Sequence, residues 1–235
     1  MKQIITITIL FFSLQVATAQ KLTKESLTQL ELGTHKTIVA QALRYQDFQT
    51  AINSMQHIIA LEGAKSLYKD SLAIIYFNAK NYVSSHLLAK ELLTSNPRNV
   101  PLLEINALSL QNLNANKEAI TTYETLFSQT NTMAHGFQLA FLQFDLKRLA
   151  EAKITIGRTL QCPPLENARI QLAIDKTQTQ NVPLQAAAYN LQGLIAYELK
   201  DMSTASTAFN AALKIMPDFV LASQNASALE GVAVE

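Results

Sequence analysis

One stretch near the C-terminus decides the fold: Tyr189-Asn-Leu-Gln-Gly-Leu-Ile-Ala-Tyr-Glu-Leu-Lys-Asp-Met202. Four more residues complete its pattern: Ala205, Phe209, Ala212 and Pro217. The apolar spacing predicts two helices that are joined by a short turn and stopped by a proline. Helices approach closely only where their side chains are small, so we expect them to cross at Gly193 and Ala205.

The same pattern recurs along the chain with a nearly constant period. Small residues, here called anchors, stand 34, 34, 33 and 53 positions apart at Ala51, Ser85, Ala119, Ala152 and Ala205. A second small position lies twelve residues before each anchor, at Val39, Ala73, Ala107, Ala140 and Gly193. Four residues after the anchors come Met55, Ala89, Tyr123, Ile156 and Phe209. Twelve residues after them come Gly63, Pro97, Asn131, Pro164 and Pro217, which end helices or make turns.

This spacing resembles the tetratricopeptide repeat, a helix–turn–helix unit of 34 residues. The resemblance covers about residues 32–217. It implies an all-α fold, a right-handed superhelical solenoid of about five antiparallel helix pairs with terminal capping helices. Unit three departs from the family pattern, because Asn106 and Asn116 stand where apolar residues are usual.

The repeat sets the expected domain boundaries. We expect a signal peptide over 1–19, a leading helix over 20–31, four units over 32–164, an insert over 165–185, a fifth unit over 186–218 and a closing helix with a tail over 219–235. Within the insert, Ile170, Leu172 and Ile174 alternate with other residues, and Thr177–Asn181 is turn-like. This pattern predicts a short extended segment or an irregular loop rather than a full helix.

The N-terminus predicts export. Lys2 precedes a mostly apolar stretch over residues 4–14, and Ala17-Thr-Ala19 offers small residues for cleavage. We expect cleavage after Ala19 rather than an uncleaved anchor, and a periplasmic or secreted product with no membrane span in the mature chain. Removing Lys2 leaves 18 basic and 18 acidic residues of the original 19 and 18. No basic stripe is present, so we expect no nucleic-acid partner.

The sequence predicts no catalytic residues, no cofactor and no metal site. The six glycines are too widely spaced for a phosphate-binding loop or a nucleophile elbow. The four histidines form no metal-binding motif, although a site assembled across units stays open. The only cysteine, Cys162, is interpreted as a small buried residue.

The resemblance implies a concave groove, lined by the first helices of successive units, that binds peptides or helices of partners. Their positions within the repeat place Ala40 and Leu43 in this groove. The candidate partner-binding residues are Ile74, Phe77, Asn78, Leu108, Gln111, Asn112, Phe137, Phe141, Phe144, Leu194 and Tyr197. Phe137, Phe141 and Phe144 share one helix face. They are either core residues between units or partly exposed anchors for a partner.

The leading hypothesis is a non-catalytic scaffold in an exported compartment that binds apolar or uncharged polypeptide segments, in envelope or secretion assembly. Two alternatives stay open: a repeat-based sugar-binding or small-ligand-binding protein or enzyme, and a self-associating structural subunit. The sequence does not identify the partner or the oligomeric state, because groove residues vary with the ligand while the structural positions stay the same.

Overall fold

The computed structural model describes residues 23–164 and 166–232. The expected signal peptide lies outside the described residues. The chain divides into two compact units, one ending at Ala79 and the other beginning at Lys80.

The N-terminal unit contains three described helices: α1 (Lys24–Arg44), α2 (Phe48–Glu62) and α3 (Tyr68–Asn78). The C-terminal unit contains α4 (Tyr82–Ser95), α5 (Val100–Asn112), α6 (Asn116–Thr130), α7 (Met133–Asp145), α8 (Leu149–Thr159), β1 (Arg169–Ala173), β2 (Thr179–Pro183), α9 (Leu184–Glu198), α10 (Met202–Ile215) and α11 (Val220–Val232). None of these helices has the length and apolar character needed to cross a membrane.

The repeat is present in the backbone as well as in the sequence. The second helices of the five predicted units are α2, α4, α6, α8 and α10, and each begins three residues before its anchor. Two residues before each of these helices, the backbone has a positive φ of 57–62°, at Gln46, Lys80, Asn114, Lys147 and Lys200. A non-glycine residue rarely adopts this conformation, so its recurrence at one position of every unit shows that the same turn is repeated.

Burial confirms the predicted crossing positions. All five anchors are fully buried, and so are Ala73, Ala107 and Ala140 at the small positions of three first helices. The residues four positions after the anchors are buried as well. Small side chains at these contacts let the helix axes approach closely, while the larger neighbours fill the space between helices.

The polar departures in unit three are satisfied by partners. The buried Asn106 lies with its Oδ1 2.7 Å from His86 Nδ1, and its Nδ2 donates to Thr122 Oγ1 at 3.4 Å. Asn116 is the first residue of α6, and its Nδ2 donates to Asp145 at 3.4 Å. Polar residues therefore replace apolar ones without leaving a buried group unpaired, which would cost about 1–3 kcal/mol.

The leading helix expected over 20–31 is continuous with the first helix of unit one over its described residues, and residues 20–22 lie outside them. Residues 24–44 form one continuous helix, α1, with Thr23 as its N-cap and Gly33 inside it. Gly33 is exposed, and nothing lies within 4 Å of the position of a Cβ there. A single glycine costs about 1 kcal/mol relative to alanine and does not by itself end a helix, so α1 continues through it.

The insert forms an antiparallel β-hairpin. Its register pairs Arg169 with Pro183 and Ala173 with Thr179. The alternation of apolar residues predicted a short extended segment or an irregular loop, and the structure has the first of these, β1. The turn-like reading of Thr177–Asn181 is wrong for its last three residues, which belong to β2. The turn lies earlier, because Asp175 Oδ1 accepts from the backbone N–H groups of Thr177 and Gln178.

The hairpin is part of the main hydrophobic core of the C-terminal unit. Val182 of β2 is fully buried and belongs to the same cluster as Leu103, Phe137 and Phe219, with Ile170 and Leu172 of β1 packed against it. The opposite face of the hairpin, which carries residues 169, 171, 173, 179 and 181, is exposed. One face therefore packs on helices and the other faces solvent.

Candidate peptide-binding surface

The aromatic residues of α7 divide between the two readings of the sequence. Phe137 is buried, Phe141 is 44% exposed and Phe144 is half-buried. The rings of Phe137 and Phe141 are stacked with their centroids 6.4 Å apart. One end of this face is therefore core, and the Phe141 ring is available to a partner.

Phe141 borders a cavity of about 290 Å³, here called the aromatic cavity. Its walls include the three phenylalanines of α7, Leu191 and Leu194 of α9, and Leu172 of β1. Asn190 also lines it, but its Oδ1 accepts a 2.9 Å hydrogen bond from Asn225 Nδ2. No charged residue lines this cavity, so it can bind an apolar group mainly by removing apolar surface from water.

A second cavity of about 330 Å³, here called the mixed cavity, lies where α5, α6 and α7 face β1. Its lining includes Leu108, Tyr123, Gln138 and Ile170, together with Glu104 and His135, which contact each other. His135 Nε2 lies 3.0 Å from Glu104 Oε1, and its Nδ1 lies 2.7 Å from Thr130 Oγ1. Both ring nitrogens of His135 therefore already have hydrogen-bond partners within the C-terminal unit.

Tyr123 adds a fixed hydroxyl to the mixed cavity. Its hydroxyl donates to Gln111 Oε1 at 2.7 Å. Burial raises the pKa of the Tyr123 phenol well above its ordinary value, and the nearby charge of Glu104 raises it further. The hydroxyl therefore stays protonated and keeps its role as a donor at neutral pH.

The two cavities share one wall, which is β1. Ala168, Arg169 and Ile170 line the mixed cavity, and Leu172 and Ala173 line the aromatic cavity. Strand β2 borders neither of them. The hairpin thus brings an extended segment to the face of the first helices.

The other strand is attached to the closing helix by one side chain. Gln180 Oε1 accepts from the backbone N–H of Val220 at 3.0 Å, and its Nε2 donates to the carbonyl of Asp218 at 2.6 Å. This contact satisfies an N–H at the start of α11, which has no partner within the helix. It also fixes the position of β2 relative to α11.

The structure brings together five of the eleven predicted groove residues at these cavities: Leu108, Phe137, Phe141, Phe144 and Leu194. Gln111 orients Tyr123, whereas the Asn112 Nδ2 donates to the Leu108 carbonyl of its own helix. Tyr197 packs in a separate cluster with Phe209. The remaining three lie in the N-terminal unit, with Ile74 and Asn78 exposed and Phe77 half-buried.

Sequence reasoning missed Glu104, His135 and Gln138. A usable signal existed for Glu104, because it lies three residues before Ala107 and so shares a helix face with Leu108 and Gln111. His135 and Gln138 were not accessible in this way. They reach the cavity through the position of α7 beside the hairpin, which the repeat pattern does not contain.

The lone cysteine and the metal-binding residue types can be placed in the described part of the chain. The Cys162 thiol is buried, and burial raises its pKa, which disfavours the nucleophilic thiolate. Over residues 23–164 and 166–232, no cluster of three or more His, Cys, Asp or Glu side chains could hold a metal ion. The surface has one apolar cavity, one cavity of mixed polarity, an exposed aromatic ring and a strand.

Solved structures with the same architecture are tetratricopeptide-repeat proteins. A repeat protein from Parabacteroides merdae is 14% identical, with a TM-score of 0.63 over 85% of this chain and 72% of that one. YrrB, described as a tetratricopeptide-repeat protein with an unusual peptide-binding site, is 15% identical, with a TM-score of 0.62 over 79% of this chain and 87% of its own. MamA from Desulfovibrio magneticus is 12% identical, with a TM-score of 0.60 over 80% of this chain and 97% of its own.

No family model and no curated protein sequence matches the chain. At such low identity the structural likeness shows the fold alone. The chain therefore has the tetratricopeptide-repeat fold that the repeat spacing predicted, and a β-hairpin is inserted before the last helix pair.

Proposed function

We propose that this tetratricopeptide-repeat protein is a non-catalytic interaction scaffold whose C-terminal unit binds apolar or uncharged polypeptide segments at the two cavities. The observation that carries the proposal is the exposed ring of Phe141 at the rim of a cavity that no charged residue lines. Aromatic side chains at the centre of an interface commonly dominate its binding energy. The peptide-binding site described for YrrB gives a precedent on the same fold.

The binding test begins with a defined probe. Random twelve-residue peptides displayed on phage are selected against the full chain, and we expect enrichment of sequences with apolar and uncharged residues. Because the aromatic cavity has no charged lining, the affinity of a peptide that fills this cavity should change little with salt. A failure to enrich any peptide, or an affinity that falls steeply with salt, would contradict the proposal.

Replacing Phe141 by alanine should weaken binding of a selected peptide at least about tenfold, since central aromatic residues behave in this way in interfaces. The matched control is Ile154→Ala, which changes an apolar residue that is 66% exposed on the second helix α8. Its dissociation constant should stay within about twofold of the parent. Fluorescence anisotropy measures both, and equal losses in the two variants would show that the peptide binds elsewhere.

We also propose that the protein works in an exported compartment, as part of envelope or secretion assembly. The support is the sequence of residues 2–19, with its basic start, apolar stretch and small residues before the cleavage position. N-terminal sequencing of the protein from an envelope fraction should give Gln20 as the first residue. A cytoplasmic protein that still carries Lys2 would refute this placement.

A further inference from the structure

The pattern of hydrogen bonds within the hairpin shows which backbone groups can still bond to another strand. At the turn, the Ile174 N–H donates to the Gln178 carbonyl at 2.9 Å. At the other end, the Leu184 N–H donates to the Ala168 carbonyl at 2.9 Å. In an antiparallel pair, bonded and non-bonded residue pairs alternate. With this register, the bonded pairs are Ala168–Leu184, Ile170–Val182, Leu172–Gln180 and Ile174–Gln178.

The outer edge of β1 is open. The backbone groups of Arg169, Gln171 and Ala173 point away from β2, and no backbone partner for them is found among the described residues. The edge of β2 is different, because Pro183 has no N–H and the Asn181 carbonyl accepts from the Arg169 guanidinium. A row of unpaired backbone groups is a template for a further strand.

The space beside β1 suits such a strand. The mixed cavity borders residues 168–170, and the aromatic cavity borders residues 172–173. An added strand would lie about 4.8 Å from β1, with side chains alternating between the helices and solvent. Those on the same side as Ile170 and Leu172 would point towards the two cavities.

From these features we infer that the partner binds as a third β-strand along β1, with apolar side chains at alternate positions inserted into the two cavities. This inference rests on the proposed function and defines how the segment is recognised. The backbone edge supplies the hydrogen bonds, and the cavities select the side chains. A charged side chain in the aromatic cavity would lose its solvation without a counter-ion, so the segment is uncharged at the positions that enter this cavity.

The selected peptides provide the first test, because their pattern reports their conformation. We expect apolar residues with a period of two. Enriched peptides with apolar residues at i, i+3, i+4 and i+7 would indicate a bound helix. That outcome would overturn strand addition and leave the scaffold proposal intact, whereas no enrichment at all would remove both.

The second test changes one backbone donor. Gln171→Pro removes one of the outward N–H groups of β1 and leaves the hydrogen bonds between β1 and β2 intact. We expect it to weaken binding of the selected peptide at least about tenfold. The matched control is Thr179→Pro, which removes an outward N–H from β2 and should keep the affinity within twofold. Circular dichroism of both variants checks that each keeps the parent's helical content. Equal affinities of the two variants would overturn the inference.

The third test changes the peptide, so that it does not depend on folding of a variant. N-methylation of the peptide amides that face β1 should abolish binding, whereas methylation of the intervening amides should leave it within about threefold of the parent peptide. If neither set of N-methylated peptides binds more weakly than the parent peptide, strand addition is overturned. Sedimentation of the protein alone tests whether β1 pairs with a second copy of the chain. If the protein is a dimer that Gln171→Pro dissociates, the occupant of β1 is a second copy, and the inference of a partner protein is overturned.

Discussion

Replacing Phe209 by alanine is expected to lower the free energy of unfolding of the C-terminal unit by about 3–5 kcal/mol. The ring is 1% exposed and packs with Ala196 and Ala205. It also lies against Gly193, where an added Cβ would come within 2.3 Å of the ring. The helices α9 and α10 therefore close on this ring, and its removal leaves a cavity that they cannot fill without moving.

The matched control is Phe141→Ala, the same substitution at a ring that is 44% exposed. It should cost no more than about 1.5 kcal/mol, because much of the ring remains in water in the folded state. Urea denaturation followed by circular dichroism measures both variants. Similar losses would show that Phe209 does not have the role in packing that its burial indicates.

Phe209 illustrates why the fold was accessible from the sequence. A close helix crossing requires a small residue on each helix, and this requirement recurs in every unit, with a larger residue four positions after the anchor in four of the five. Gly193, Ala205 and Phe209 form one such set. Equivalent sets recur along the chain, for example the one that contains Ala73 and Ser85. The period identified the helix pairs before any contact was known, because each position has the same physical role in every unit.

The candidate site was less accessible for the same reason. The insert occurs once, so no period reveals its register. The alternation of Ile170, Leu172 and Ile174 indicated an extended segment, but its pairing with β2 depends on the turn at Asp175. The exposure of Phe141 next to the buried Phe137 could not be predicted either, since it depends on how β1 and α9 surround α7.

The contact between hairpin and helices leads to the second large effect. Replacing Val182 by aspartate is expected to destabilise the C-terminal unit by about 3–5 kcal/mol at neutral pH, the usual cost of an uncompensated buried charge. Val182 is fully buried in the main core cluster. An isolated two-stranded hairpin is marginally stable in water, so β1 and β2 depend on this contact with the helices to keep their register.

The pH dependence of this variant separates charge from shape. Burial should raise the pKa of the introduced carboxyl above its value in the unfolded chain, so the unfolded state loses its proton first as pH rises. The penalty should therefore be smallest below the unfolded pKa of about 3.9 and grow as pH rises above it. The control is Thr179→Asp, on the exposed face of β2, which should be nearly neutral at every pH.

If urea denaturation gave Val182→Asp a loss below about 1 kcal/mol at pH 7, the hairpin would be an appendage that detaches independently of the core. The open edge of β1 would then not be held beside the cavities, so this measurement also tests the rigid support that strand addition requires.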